Sequence, residues 1–563
     1  MSKFAIHFFH ISNFIFFITY MTELLNHIGK LMCAGAVVVT MQSCDKNDNT
    51  SDDNHRTPEY SLPARNPWLA QEHYSLTHFN SAQTDVFPFA VKDGTTTVDL
   101  KKAPGYASGP INLVTLASPD PNYMWGMSTD RVTYINIAGG GFEKVAECPL
   151  PGMTPRTVEE IDRLTAPYTS YNECEKVAKS ILGPVPQTIM MSGNYVMCDK
   201  DNYAYANAVT TLLRFKLKNA ANPKEGIEID ASLDMTPWIN GSFTLMAVSM
   251  TYDGYLVVAG RRTICIVDRT LTNVIDTYDF PADQDLSNSI CVDDKNGIYV
   301  ATNNIKDSGK GLMQKIVWTG TKLSGDEADG AWQASYDGGP MAPAIKMGYG
   351  TGSTPTLMGF GDDEDKLVVI TDGAKQMKIV AFWRDEIPAD SKPADPSNPR
   401  IADSRTVTCG LNGAEWVQSE QSVVCAGYGA FVVNNVRRME ETINDKIPGV
   451  LSVGPILEPA YGVERLQWDT ANNRWETLWT RADINSPSMI PCMSTASGMV
   501  FVNSYNKGTG WEITGLDWES GATRHRVIFG DTNLGNGAHA IIQYLPDGDL
   551  LFNSVYGPRR IRL

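Results

Sequence analysis

A short apolar strand, a polar turn holding a glycine and a second, more apolar strand recur through the second half of the chain. Asn288–Asn304, NSICVDDKNGIYVATNN, shows the pattern most plainly. Thr244–Gly260, Ser353–Asp372, Glu420–Asn435, Ser488–Ser504 and His539–Ser554 repeat it. Each copy reads as a β-hairpin, because β-branched and aromatic residues fill the second arm and turn formers separate the two. The turn glycine supplies the positive φ that tight hairpins need. Two further strand-like runs follow most copies, such as Arg262–Arg269 and Asn273–Phe280 after the first. Repeated four-stranded antiparallel units predict an all-β fold, an eight-bladed β-propeller. Seven blades is the alternative, should the opening unit Ile111–Cys148 not be a blade. A pair of β-sandwiches is the rival architecture, and it does not require one hairpin to recur so regularly.

This geometry points to a site. The start of a hairpin's first arm lies beside the end of its second, and in a propeller the first arm lines the central channel. The residues that open and close each copy therefore ring one mouth of that channel. The predicted ligand-binding set is Asn288, Asn303, Ser353, Thr354, Gln421, Asn435 and Asn503. Asn, Ser and Thr at strand ends also satisfy turns and free backbone groups, which is the competing explanation for each one singly. Three titratable groups share the mouth and form the predicted catalytic set. His539, in GNGAHA, is the histidine placed there and suits proton transfer. Glu420 is a candidate general base. Asp372 is positioned to pair with either or to bind a cation, although an Asp before Gly373 also forms turns.

The N-terminal region reads differently. Residues 1–43 look like a targeting segment, and Met21 offers a second start codon. Met41-Gln42-Ser43-Cys44 follows an apolar run and resembles a bacterial lipobox, which makes Cys44 the predicted lipidation site. Residues 44–56 form a polar acidic tether that lacks the apolar groups to bury a core. The propeller is expected over 57–563, with a helical insertion at about 154–182, and with a strand from before residue 110 completing the last blade.

Net charge and ligand chemistry narrow the function. A net charge of −17 and a pI near 5.0 exclude a nucleic-acid partner, which needs a basic surface. The ten cysteines form no CxxC and, with eight histidines, no zinc-spaced pattern, so no metal site is predicted from His and Cys. Calcium stays open at Asp-rich turns such as Asp362–Asp365. Gly350–Thr356 is glycine-rich but lacks the lysine of a phosphate-binding loop. Cys148 and Cys174 are the one suggested disulfide, with buried thiols the alternative.

GTGSTPTLMG at Gly350–Gly359, ITDGA at Ile370–Ala374, Met377 and Arg384 resemble the pattern of uncharacterised secreted propellers of the quinoprotein alcohol dehydrogenase-like superfamily. The resemblance covers roughly residues 240–563. It implies an eight-bladed, or seven-bladed, propeller. Quinone dehydrogenases of that superfamily pair two adjacent cysteines with a calcium beside the cofactor, and this chain has no Cys-Cys pair, which argues against a bound quinone. Fold alone does not assign function. The expected function is therefore an extracytoplasmic, lipid-anchored propeller of the outer membrane that binds a small polar molecule, such as a carbohydrate, at its mouth. The alternatives are a lyase or hydrolase using Glu420 and His539 as an acid–base pair, and a quinoprotein-like oxidoreductase.

Overall fold

The computed structural model describes residues 60–563 apart from 72, 110–113, 184–191, 194, 308, 341, 343–348, 394, 439–445 and 488. The targeting segment, the tether and Cys44 lie outside the described residues.

Eight sheets follow one another along the chain, each built on consecutive antiparallel strands ordered from the innermost to the outermost. The first holds Val114–Ala117, Tyr123–Met127, Arg131–Asn136 and Glu143–Pro149. The seventh, Cys492–Ser494, Met499–Asn506, Gly510–Asp517 and Thr523–Gly530, closes the regular series. Neighbouring sheets share an apolar core: Val258 packs with Leu212, Phe431 with Val500, and Phe501 with Phe552. The series becomes a ring because Leu545 and Leu551 of the last sheet pack on Met124 and Ile135 of the first. This is a β-propeller, and its blade walls are the β-branched and aromatic faces that the hairpin pattern marked.

The expectation of eight blades is corrected to seven. Seven sheets carry four or more strands, whereas the last, Gln543–Tyr544, Leu550–Asn553 and Pro558–Ile561, carries three. Ile111–Cys148 does supply a blade, so the shortfall lies at the end of the chain and not at its start. Chain from before residue 110 does run along the edge of that last sheet, where the Tyr106 and Ser108 N–H groups donate to the Pro558 and Tyr556 carbonyls and the Arg560 N–H donates to that of Pro104. Strands β1 (Val86–Phe87) and β2 (Gly94–Thr97) run parallel to the innermost and outermost strands of the seventh blade, making it six-stranded. Farther along the chain, Gly105 bridges Arg559 of the three-stranded sheet, and Arg559 Nη1 donates to the Ala103 carbonyl.

The helical insertion is present as α1 (Val158–Leu164) and α2 (Tyr171–Leu182). Thr157 and Glu160 form a capping box on α1, and Ser170 caps α2. A third helix, α3 (Lys446–Ser452), lies between the second and third strands of the sixth blade and carries Pro448 in its first turn. In a first helical turn the missing N–H costs nothing, because that group has no intrahelical partner. Cys174, Ala178 and Ile181 of α2 pack on Ile447, Val450 and Leu451 of α3 and on Ala538. The helices therefore cover the mouth face beside His539. Cys148 and Cys174 are both free thiols.

Candidate functional site

The channel has a floor that the sequence did not reveal. The chain between Asn66 and Phe87 crosses the propeller axis and bonds to the innermost strand of every sheet. Backbone N–H groups of Ala117, Cys198, Val292, Leu357, Cys425 and Met493 donate to the carbonyls of Tyr74, Ser75, Ser81, Ala82, Thr84 and Asp85. Asn66 Nδ2 donates to the Met250 carbonyl, and Tyr74 Oη donates to that of Tyr544, serving the third and last sheets. Inner strands of a ring have no neighbour on their channel side, so their free N–H groups need such partners. The path demands unusual backbone: Tyr74, His78, Phe79, Gln83 and Asp85 have φ between 56° and 76°. Strain of this kind persists only where surrounding contacts over-determine it.

Above this plug stands the mouth. Asn288 sits where the register of the fourth blade shifts between Leu286 and Ile290, a bulge that turns it out of the ladder. Its Oδ1 accepts from Tyr195 Oη, and its Nδ2 donates to the Gly352 carbonyl. Thr354 Oγ1 lies 3.5 Å from His78 Nε2, and His78 Nδ1 lies 2.9 Å from Asp85 Oδ2. On the far wall, His539 Nδ1 is 3.8 Å from Glu420 Oε1, beyond hydrogen-bond reach. Those two side chains are 15% and 10% exposed, so the pair opens towards the channel without being solvated. His539 Nε2 is buried and makes no hydrogen bond to any described residue. The histidine is held at φ 63°.

The remaining predicted residues have structural partners. Ser353 Oγ lies 2.8 Å from Thr371 Oγ1 and donates to the Gln421 carbonyl. Gln421 Nε2 donates to the Ser486 carbonyl, as does Asn435 Nδ2, while Asn435 Oδ1 accepts from the Glu420 N–H. Asn303 accepts from Tyr336 Oη and donates to the Tyr349 carbonyl. Asn503 accepts from the Gly537 N–H and donates to Glu512 and Gly535 carbonyls. These amides stitch one blade to the next connection and hold the rim in shape. Asp372 accepts from the Ala374 and Lys378 N–H groups, with Lys378 Nζ 3.4 Å away. The structure joins Glu420 with His539, and brings Asn288 and Thr354 to a common partner in Tyr195, whereas Asp372 is held in its own turn.

His78, Asp85 and Tyr195 were missed. Nothing periodic marks HFNSAQTD, and nothing in the sequence sets Tyr195 apart. The sole signal was polar residues set among aromatics in a stretch without period. Burial raises the Asp85 carboxyl, and His78 opposes that shift by charge and hydrogen bonding. Burial pushes the Tyr195 phenol up to about 12; a bond from Thr354 opposes and the Glu420 charge adds.

The donor set does not fit a quinone with its calcium. Glu420 faces His539, Asp85 faces His78, and no Cys-Cys pair exists in the chain. At the acidic tip, Asp363 accepts from the Phe360 N–H and Asp365 from Trp468 Nε1, so these carboxylates serve the fold. Among the described residues, no three His, Cys, Asp or Glu side chains converge as metal ligands.

No protein-family model matches the chain. An uncharacterised protein of Archaeoglobus fulgidus is 32% identical over 333 residues, which is 56% of this chain. The match spans 60% of the archaeal protein's length. The quinohemoprotein alcohol dehydrogenase of Comamonas testosteroni is similar at 11% identity and a TM-score of 0.47, over 88% of this chain and 78% of that one. A europium-containing methanol dehydrogenase is similar at 10% identity and a TM-score of 0.48, over 87% and 91%. At such distance these two dehydrogenases lend this chain no activity.

Proposed function

We propose that the protein binds a small polar molecule of the carbohydrate class at the channel mouth, and that Cys44 carries a lipid anchoring it to an outer membrane, with the propeller outside the cytoplasm. The observation that supports the binding is the gap between Glu420 and His539. At 3.8 Å the two are too far apart to bond directly. A sugar hydroxyl, which both donates and accepts, is matched to an acceptor carboxylate and an imidazole at that spacing. A ligand hydroxyl that satisfies the buried His539 Nε2, which has no hydrogen bond among the described residues, gives selectivity over a ligand that lacks it.

Calorimetric titration of the full chain with glucose, mannose, xylose and N-acetylglucosamine tests this. Binding by at least one sugar, weakened tenfold or more in Glu420→Gln and His539→Ala, is expected. Unchanged affinity in both variants, or heat from none of the sugars, rejects the reading. For the anchor, Cys44→Ser is expected to move the protein from the membrane pellet to the soluble fraction after cell lysis. A second reading, acid–base turnover of a glycoside by the same pair, draws on the same geometry. It predicts a bell-shaped pH–rate profile that His539→Ala abolishes.

A further inference from the structure

Below the plug lies a second chamber, and its walls are built by the N-terminal segment itself. A cavity of about 200 Å³ is lined by residues from Leu62 to Val86, among them Arg65, Asn66, Gln71, His73, Ser75 and Ser81. Its position follows from the contacts of its walls. Ala64 accepts from Tyr252 Oη, and Asn66 donates to the Met250 and Thr251 carbonyls, all at the far end of an innermost strand. Ser61 bonds to Asp363 in the hairpin turn of the fifth blade. The chamber therefore opens on the hairpin-turn face, opposite the mouth where His539 and Glu420 stand. The plug separates the two: Ser75 and Ser81 line the lower chamber, and His78 turns to Thr354 above.

We propose that this chamber is a second binding site, for a small polyhydroxylated acid the size of one sugar unit. Ser75 is fully buried, borders the chamber, and its Oγ makes no hydrogen bond to any described residue. A buried hydroxyl without a partner costs about 1–3 kcal/mol, which a ligand atom in the chamber recovers. The carbonyls of Ser75 and Ser81 are already taken by Cys198 and Val292, so the backbone there is fixed and the side chains carry recognition. The apolar wall of Leu69 and Val86 suits the C–H face of a sugar ring. Arg65 is exposed at the rim and makes no ion pair with any described residue. Its planar fork matches a carboxylate. On a chain of net charge −17, a guanidinium at the rim of a polar cavity selects for an anionic end. At about 200 Å³ the chamber is smaller than the roughly 300–1,000 Å³ of sites for drug-sized ligands, which limits the occupant to a single sugar unit.

The test is calorimetric titration of the full chain with sodium D-glucuronate, with D-glucose as the neutral control, at low and high salt. Saturable glucuronate binding is expected, tenfold or more weaker in Arg65→Ala and severalfold weaker in Ser75→Ala, and weakened by salt. His539→Ala at the opposite mouth is expected to leave it unchanged, which separates this site from the one above. Glucuronate binding that survives Arg65→Ala, or falls with His539→Ala alone, overturns the proposal. So does the absence of binding in a chain whose thermal unfolding is normal, which would mean the chamber holds water only. Arg65 is exposed, so its substitution tests recognition without threatening the fold.

Discussion

Asp372 shows what burial does to a single residue at the rim. Its side chain is 1% exposed, and burial lifts its carboxyl from 3.8 to about 6 against the opposing bonds from Lys378 and Ala374. A carboxyl whose folded value is raised holds its proton in the folded state after the unfolded chain has lost it. Its contribution to stability is therefore fully present below about pH 4 and is lost as the pH rises through about 6. The loss is on the order of 3 kcal/mol. Asp372→Asn keeps an acceptor for the Ala374 and Lys378 N–H groups and removes the charge. Denaturant unfolding at pH 4, 5, 6 and 7 is expected to show a flatter pH dependence in the variant and a gain at pH 7. A variant that tracks the parent across this range would mean Asp372 is not what titrates. The rim amides show a different principle. Asn303, Asn435 and Asn503 were read as ligand donors, yet each is engaged with backbone groups of a neighbouring connection. Residue type and strand-end position are the same for both roles, and only the partner within 3 Å or so distinguishes them.

At the scale of elements, the plug is the feature with most consequence. It contributes a carbonyl to six inner strands and a buried His78–Asp85 pair beneath the mouth. Asp85 carries two demands at once, a left-handed backbone at φ 56° and a carboxylate for His78. Asn tolerates that conformation and still offers an oxygen, so Asp85→Asn is expected to cost about 1–2 kcal/mol. Asp85→Val strains a β-branched residue and strands the histidine, and about 3–5 kcal/mol is expected. Urea unfolding of the two variants measures the difference; equal midpoints would show that the backbone conformation and the pair carry no weight. The helices teach a related lesson about local signals. Helical periodicity made α1 and α2 legible, and caps at Thr157 and Ser170 start them, while α3 packs against α2 over Ala538.

For the whole molecule, closure of the ring is the governing problem. The first and last sheets meet through Met124, Ile135, Leu545 and Leu551, a small core compared with those between other blades. The N-terminal segment supplements it from inside, where Phe79 and Phe87 pack with Phe501, Tyr544 and Phe552 across the last two sheets. Parallel pairing of β1 and β2 clasps the seventh blade at both edges. Deleting residues 1–98 is therefore expected to open the ring, with rapid proteolysis after residue 530 and loss of a cooperative thermal transition. A truncated chain that melts like the parent would show that the blades close without this segment. The sequence by itself determined the class of fold, the position of nearly every hairpin and the end of the channel where polar residues gather. Those features depend on contacts between near neighbours, and side-chain period and turn chemistry record them directly. Only the tertiary structure decided the blade count, the destination of the N-terminal strands, the plug with His78 and Asp85, and the chamber beneath it. These arise where segments hundreds of residues apart compete for the same unpaired strand edges, the edge at Met493 going to Asp85. The outcome of that competition depends on the summed hydrogen bonds and burial of the closed ring, which no local pattern contains.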